Sequence, residues 1–363
     1  MIRFNAIWRY LPGAPGVWTD LTPFHKSNTA FNFIAASTEV FYFGMEDRRF
    51  IGMMVDLSTI GNYGAFTFEF FNGYTWENVS IVDNYSFNVS KFLRWICPDN
   101  WSPIEFTAAF PYTEAPPDAK SRYWFRISTA SVTAPTAIIT KMRCIPMVTY
   151  TTPAKVGILL NIKKKWDLNS TPTIFDVEDH ILHAESEIDY RTQKSWKFNY
   201  MTGEDHIPEE MDYNRYGVFP RYRDIIAVYS AALWNGSVWQ NLNEGRSNDF
   251  VVDKRRGMIY VTRLFLLPAS YGFSGRYFHY GFGEFKNSMK IDYSYGRDCE
   301  IDPEFRMVEK IATTLTAIDL LMGHDYSILT VSGTDKVLLA EKVRMWGEEA
   351  EKNIDSLTGV RIY

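Results

Sequence analysis

Residues 1 to about 150 form a series of short segments rich in β-branched and aromatic residues, each bounded by Gly, Pro, Asn or Asp. In one segment, AFTFEFF, the residues Phe66, Phe68 and Phe70 alternate with polar residues. A period of two is typical of a half-buried strand, because successive side chains point to opposite faces. Short strands at this spacing, without a helical stripe, predict an all-β sandwich over residues 1–152, jelly-roll-like or immunoglobulin-like.

The second half begins with a helical pattern. Apolar residues from Ile174 to Ile188 stand three or four positions apart, which predicts one buried helix face. Thr173 and Asp176 have the spacing of a weak capping box at its start. The segment TTPAKVGILLNIKKKWDLNSTPT, residues 151–173, carries prolines and a run of three lysines, and it is interpreted as a crossover with a short strand that ends at the helix start. Two more stripes follow Asp302-Pro303 and Thr334, and the helices are predicted to meet in a buried seam that contains Ile181, Ile188, Ile311, Leu315 and Ile318.

The predicted fold class is therefore α+β, in two domains. The sandwich of residues 1–152 precedes a helical domain of residues 153–363. That domain has helices at about 174–196, 303–322 and 335–356, a hairpin-rich β insertion at about 198–298, and an extended tail at 357–363. The insertion includes a predicted strand at 223–233 and a hairpin with the charged turn DKRRG.

Two similar stretches, FNGYTWENVS and WNGSVWQNLN, each place Asn-Gly between β segments with a Trp three residues after the Gly. Asn-Gly is a strong hairpin signal, because both residues tolerate the positive φ of a type I′ turn. We interpret the two stretches as the same turn chemistry used twice. Packed tryptophans are favoured over sugar-stacking ones. The residues concerned are Asn72, Gly73, Trp76, Asn235, Gly236 and Trp239.

Composition argues against several classes of protein. The formal net charge of -5 argues against a nucleic-acid binder held by phosphate contacts. Three cysteines at unrelated spacing, Cys97, Cys144 and Cys299, favour assembly in a reducing cytosol over a disulfide framework. The N-terminal residues lack the apolar run of a signal peptide, and no stretch has the length of a membrane span, so we expect a soluble protein.

The sequence contains no recognisable catalytic frame. Gly-x-Ser-x-Gly, Walker A and GxGxxG motifs are all missing. His180, His183 and Glu187 have a spacing that suits a metal ion. The helical phase puts both histidines off the apolar stripe, which favours surface or interface residues. We therefore predict no enzyme, no metal and no cofactor.

An ordered series of motifs in the second half resembles the head-tail connector (adaptor) proteins of tailed phages. The segment TPTIFDVEDHILHAESEIDYRTQKSW is similar to the family's acid-rich opening helix and ends in Arg191, Thr192 and Trp196. The β insertion with Asp253, Gly257 and Ile259, and the strand that leads through Asp302-Pro303 into a long helix, follow in the family's order. The resemblance covers roughly 155–363. The N-terminal domain is extra and is similar to β-sandwich modules of virion proteins.

The resemblance implies a structural role in the virion neck, after assembly in the host cytoplasm. Such proteins form a ring, commonly of twelve copies, beneath the portal protein. They extend the DNA channel, through which double-stranded DNA passes without specific binding, and they provide a platform for the next neck or tail protein. The N-terminal domain would face capsid or fibre proteins. The tail, by analogy, docks on the portal as an added strand through Thr358, Gly359, Val360, Arg361, Ile362 and Tyr363.

Two other functions remain as alternatives. The first is a carbohydrate- or receptor-binding component of the virion, such as a baseplate or fibre-attachment protein, which would bind through the aromatic-rich sandwich. The second is a hydrolase with an unrecognised site.

Overall fold

A computed structural model describes residues 2–13, 16–82, 87, 91–106, 116–162, 166–167, 169–192, 194–212, 215–234, 238–261, 289–297, 302–323 and 336–358. Helices and antiparallel sheets are mixed, as expected of the predicted α+β class. The chain divides into two compact units, one of Met1–Thr192 with Pro303–Tyr363 and one of Gln193–Asp302. In this division the helices group with the N-terminal β region, and the boundary proposed at residue 152 stays a prediction.

The N-terminal part of the first unit contains twelve strands among its described residues, and one short helix, α1 (Thr22–Ser27). No helix was expected here. The strands are β1 (Ala6–Leu11), β2 (Val17–Asp20), β3 (Phe31–Asn32), β4 (Val40–Met45), β5 (Phe50–Thr59), β6 (Asn62–Tyr63), β7 (Phe66–Phe71), β8 (Trp76–Asn78), β9 (Lys91–Arg94), β10 (Tyr123–Thr129), β11 (Val132–Thr133) and β12 (Ile138–Pro146).

These strands form a six-stranded sheet of order β2-β1-β4-β10-β7-β8 and a four-stranded sheet of order β3-β12-β5-β9, with β11 and β6 as a separate pair. Side chains from both larger sheets meet in one buried apolar cluster. Phe43 and Phe125 come from the first sheet, and Met53 and Met142 come from the second. Phe70 of the predicted AFTFEFF strand is also buried there. A second aromatic cluster, which contains Tyr42 and Trp124, lies on the opposite face of the six-stranded sheet.

The helices of the first unit are α2 (Pro153–Leu159), α3 (Ile174–Thr192), α4 (Phe305–Gly323) and α5 (Lys336–Thr358). Helix α3 ends at Thr192 rather than at residue 196. Helix α5 continues through Leu357 and Thr358, which corrects the predicted start of the tail at 357. Leu357 is buried, and this apolar contact explains why the helix extends to the end of that turn. Helix α4 packs against α2, α3 and α5.

Local signals account for where two helices begin. The Asp176 carboxylate accepts hydrogen bonds from the backbone N–H and hydroxyl of Thr173, both at 2.8 Å, and that hydroxyl accepts the Asp176 N–H. This is the predicted capping box. Helix α2 replaces the predicted short strand. The Thr152 hydroxyl caps it by accepting the Lys155 N–H, and Pro153 occupies a first-turn position that needs no N–H partner.

The second unit is a β structure in its described residues. Its strands are β13 (Asn199–His206), β14 (Glu209–Asp212), β15 (Arg215–Val218), β16 (Ile225–Trp234), β17 (Trp239–Asn241), β18 (Phe250–Asp253), β19 (Met258–Val261) and β20 (Met289–Tyr295). They form two four-stranded sheets, β13-β20-β16-β17 and β14-β15-β19-β18. Both sheets contribute to one core, for example Ile291 and Tyr293 from the first and Phe250 and Ile259 from the second. The hairpin predicted around DKRRG is confirmed, since Asp253 pairs with Met258.

His25 makes the first unit sensitive to acid. Its side chain is 3% exposed, and its Nε2 accepts the backbone N–H of Phe4 at 3.2 Å, which requires the neutral imidazole. Burial, with the nearby charges of Arg3 and Lys26, lowers the pKa of His25 from 6.5 to about 4. The unfolded chain therefore binds a proton more readily than the folded chain between these pH values. The stabilising contribution is complete above pH 6.5 and is lost as the pH falls toward 4.

We predict that the free energy of unfolding falls by about 3 kcal/mol between pH 6.5 and pH 4 because of this residue. Chemical unfolding followed by tryptophan fluorescence at a series of pH values measures the change. The variant His25→Gln should lose most of this acid dependence. His183→Gln is the matched control, because His183 is exposed, and it should keep the wild-type profile. An unchanged profile in His25→Gln would contradict the assignment.

Candidate functional site

A buried ion pair joins the β region to helix α3. Glu178 of α3 and Arg49, which precedes β5, have side chains that are 1% and 5% exposed. One carboxylate oxygen of Glu178 accepts from Arg49 Nε at 2.8 Å and from Arg49 Nη2. Arg49 also donates to the carbonyl of Pro98 at 3.0 Å, and its guanidinium lies 4.2 Å from the centre of the Phe175 ring. The guanidinium is thereby enclosed by an anion, a carbonyl and an aromatic face.

The groups around this pair are held in their neutral forms. Burial raises the pKa of Cys97 to about 12, and the Arg49 charge opposes that rise. Burial also raises the pKa of Tyr123. Burial raises the pKa of Glu178 as well, while Arg49 favours its ionised form. A thiol with so high a pKa is a poor nucleophile. The contacts of Arg49 and Glu178 in this cluster join the β region to α3.

Two further acidic residues of α3 bind the chain where it leaves the β region. Glu185 is fully buried, and its carboxylate accepts the backbone N–H groups of Thr149 and Tyr150, the latter at 2.7 Å. The Tyr150 hydroxyl donates to Asp189, one turn further along α3. Sequence reasoning missed these contacts, because acidic residues on a helix are usually solvated. The only sequence feature that could have indicated these contacts is the seven-residue spacing of Glu178 and Glu185, which places both on one helix face.

The five residues of the predicted seam differ in how deeply they are buried. Ile181, Ile188 and Ile311 are buried. Leu315 and Ile318 are half-buried and so are less enclosed than the other three. The buried residues of helix α4 include Ala312, Thr316 and Leu320, which are spaced four positions apart. Other buried residues lie on other sides of the same helix. An amphipathic stripe specifies one face, whereas α4 has neighbours on several sides.

The outer surface of the helices combines apolar side chains with ion pairs. Ile158 and Tyr190 are each 78% exposed, and Met322 and Met345 are 67% and 58% exposed. Arg191 links α3 to α5 by donating to Glu351 at 2.9 and 3.0 Å, and it also contacts Glu187. A cleft of about 260 Å³ lies among α2, α4 and α5, and its lining includes Lys155, Leu159, Glu309, Lys310, Trp346 and Glu349. Such a surface suits contact with another protein.

The first Asn-Gly stretch forms a hairpin, but the turn differs from the predicted type I′. Phe71 pairs with Trp76, so the loop has the four residues Asn72 to Thr75. The Asn72 side-chain oxygen accepts the N–H groups of Tyr74 and Thr75, both at 2.8 Å, and only Gly73 has positive φ, at +101°. The Asn side chain replaces a backbone acceptor, which removes the need for positive φ at Asn72. Trp76 packs against the rings of Tyr42, Phe71 and Phe106.

The second stretch also joins two antiparallel strands, since Trp234 pairs with Trp239. Asn235 and Gly236 lie outside the described residues. Trp239 is 38% exposed and less enclosed than Trp76. Its ring centre is 5.5 Å from that of Trp234 and 4.8 Å from Lys290 Nζ. The two stretches therefore share a hairpin context and differ in how their tryptophans pack.

The predicted docking tail is seen only at its first residue. Thr358 is the last residue of α5, and its hydroxyl donates to the Asp355 carbonyl. Gly359, Val360, Arg361, Ile362 and Tyr363 lie outside the described residues. In the part of the chain that the structure describes, no cluster of three or more His, Cys, Asp or Glu residues could hold a metal ion. None of the described helices is long and apolar enough to cross a membrane.

Comparison of the chain with models of protein families found no match, and comparison with curated proteins found none either. The chain's own residues and their geometry therefore carry the functional proposal.

We predict that Arg49→Met destabilises the first unit by about 3–5 kcal/mol, because it leaves the Glu178 carboxylate buried without its partner. The double variant Arg49→Met with Glu178→Leu should recover much of this loss, since it removes both buried charges. Chemical unfolding of the two single variants and the double variant gives the coupling free energy.

The control for this experiment is Arg191→Met, which removes the exposed pair with Glu351. It should cost less than about 1 kcal/mol. Equal losses in Arg49→Met and Arg191→Met would show that the buried pair does not hold the β region to α3.

Proposed function

We propose that the protein is a structural component of a virion, a head-to-tail connector of the neck of a tailed phage. One observation carries the proposal. Helices α3, α4 and α5 pack on one another, while the residues between α3 and α4 form a separate β unit. This is the order that the motif series implies for an adaptor, with a helix, a β insertion and two further helices.

The proposed assembly is a ring of identical copies under the portal protein, twelve by analogy with the family. A heterologous contact, in which one patch of a copy meets a different patch of the next, closes into a ring when the rotation allows it. The individually exposed apolar residues of α2, α4 and α5 could contribute to such a contact. The ring would extend the DNA channel and provide a platform for the downstream neck or tail protein.

The N-terminal β region is proposed to be a sandwich that contacts a neighbouring capsid or fibre protein. Its two larger sheets share one apolar core, which supports this architecture. The buried Arg49–Glu178 pair supports a further point, that the sandwich and the helices move as one body. A neighbour that binds the sandwich would then be held at a defined position relative to the helices.

Removal of residues 359–363 is predicted to abolish attachment to the portal and to leave the fold intact. The truncation begins at Gly359 because Leu357 is buried and Thr358 belongs to α5. Negative-stain microscopy and co-sedimentation with purified portal measure the attachment. Full-length protein should appear as rings on the portal, and truncated protein should remain in the supernatant.

The control for the truncation is its unfolding profile, which should match that of the full-length protein. A variant with Met345→Ser, which changes an exposed apolar residue of α5, tests the ring contact separately. Undiminished co-sedimentation of the truncated protein would rule out docking through the tail. The adaptor role would be ruled out if the full-length protein stays monomeric and does not co-sediment with the portal.

A second candidate function is carbohydrate or receptor binding by the N-terminal region. The observation that favours it is the aromatic cluster on the face of the six-stranded sheet that lies opposite the main core. Trp8 pairs across strands with Tyr42, and Tyr10 pairs with Trp18. Trp8, Tyr10 and Trp18 are half-buried rather than enclosed. Aromatic faces with part of their area open to solvent suit stacking against sugar rings.

For this second function, Trp18→Ala should weaken glycan binding by the full-length protein at least tenfold, a loss of about 1.4 kcal/mol. Titration against a panel of immobilised glycans measures it, with circular dichroism as the check of folding. Trp239→Ala is the control, because Trp239 lies in the second unit. Absence of any bound glycan, or equal losses in both variants, would contradict a saccharide site on this sheet.

A further inference from the structure

Five basic side chains lie together in the second unit. Lys254, Arg255 and Arg256 occupy the turn between β18 and β19, and Arg221 and Arg223 lie in the segment that leads into β16. All five residues are exposed. We call these five residues the basic patch.

The fold brings the two segments of the patch together at a close backbone approach. Gly257 has φ +63°, and a Cβ at this position would lie 2.3 Å from the Arg223 carbonyl oxygen, so only glycine fits here. The Lys254 ammonium donates to the Ile226 carbonyl at 2.5 Å, which ties the turn to the start of β16. The Asp253 carboxylate accepts the N–H groups of Arg255 and Arg256 at 3.1 and 3.2 Å, which orders the turn itself.

The carboxylates near the patch are engaged by other groups. Asp253 holds the turn and lies 3.9 Å from Arg256 Nε. Asp224 pairs with Arg297 at 3.7 Å. Glu204 accepts the Arg221 backbone N–H at 2.8 Å and pairs with His206 at 3.2 Å. Among the residues whose side chains the structure describes, these three carboxylates contact the patch segments, and two of them also have a basic partner outside the patch. The five cations outnumber these three carboxylates.

Aromatic rings hold two of the arginines in defined positions. The Arg223 guanidinium lies 5.1 Å from the centre of the Phe219 ring, and the Arg221 guanidinium lies 5.7 Å from that of Tyr222. Tyr222 is itself stacked on Tyr295, with ring centres 3.9 Å apart. A guanidinium supported on a ring loses less side-chain freedom when it binds, and its planar donors match the two oxygens of a phosphate.

We propose that the basic patch binds the phosphate backbone of double-stranded DNA without reading its sequence. Arginine predominates in the patch, and arginine with aromatic support is the chemistry of phosphate contact. The net charge of -5 argues against phosphate contacts over the whole surface of the chain. A local patch is a separate case, because charges more than roughly 8–10 Å away are largely screened at physiological salt. The proposal goes beyond the connector role and does not depend on it, since the isolated full-length protein can be tested without a portal.

The test is fluorescence anisotropy of the full-length protein with a labelled 30-base-pair duplex of random sequence, over a range of salt concentrations. Contact of five cations with phosphates gives a slope of about -4 to -5 in log Kobs against log salt. Arg223→Gln and Arg255→Gln should each weaken binding to all duplexes equally and reduce the magnitude of the slope by about 1.

The matched control is Arg246→Gln. Arg246 is exposed in the same unit, but it precedes β18, whereas the patch residues of the turn follow that strand. A four-residue strand separates the two ends by roughly 13 Å, so this variant should bind as the wild type does. Circular dichroism of all three variants checks that the fold is retained.

Several results would overturn the proposal. One is a wild-type protein that shows no duplex binding at about 50 mM salt, where phosphate contacts are strong. A second is equal binding by Arg223→Gln, Arg255→Gln and Arg246→Gln. A third is patch-dependent binding of polyglutamate without binding of duplex, which would identify an acidic protein as the partner. None of these results would alter ring formation or portal docking, so failure of this proposal is distinguishable from failure of the connector role.

Discussion

Helix α3 carries two carboxylates, Glu178 and Glu185, into the interior of the first unit, and their neutralisation constrains everything packed around them. An ionised carboxylate without partners in such a place costs several kcal/mol. Arg49 supplies the charge for Glu178, and the backbone N–H groups of Thr149 and Tyr150 supply donors for Glu185. These contacts hold the β region against α3. The helices and the β region are one unit for this reason.

This coupling bears on how the proposed connector would use its two units. The first unit places a β region on a helical base through polar contacts that tolerate little displacement, since a charge-assisted hydrogen bond weakens with small changes in distance and angle. The exposed apolar residues of α2, α4 and α5 remain available for other proteins. The second unit has its own core, and three of the five residues of the basic patch lie on the turn between β18 and β19. The two proposals therefore place contact with proteins and contact with a polyanion on different parts of the chain.

The sequence predicted local structure correctly where that structure depends on residues that are close together in the chain. The alternation in AFTFEFF, the capping box at Thr173 and Asp176, and the DKRRG hairpin were all predictable, because each depends on residues within a few positions. Helix α2 was missed because its β-branched residues favoured a strand, whereas the Thr152 cap favours a helix. Half-burial of Leu315 and Ile318 could not be predicted, because it depends on how many helices surround α4.

The amino-acid sequence by itself determined the α+β class, the approximate positions of α3, α4 and α5, and the DKRRG hairpin, because backbone propensity, periodicity and capping act over short distances. Only the tertiary structure decided which parts form one unit. It showed that acidic residues of α3 are buried rather than solvated, and it placed Arg223 beside the Gly257 turn. These relations join residues that are 34 to 129 positions apart, and no local pattern encodes such a pairing.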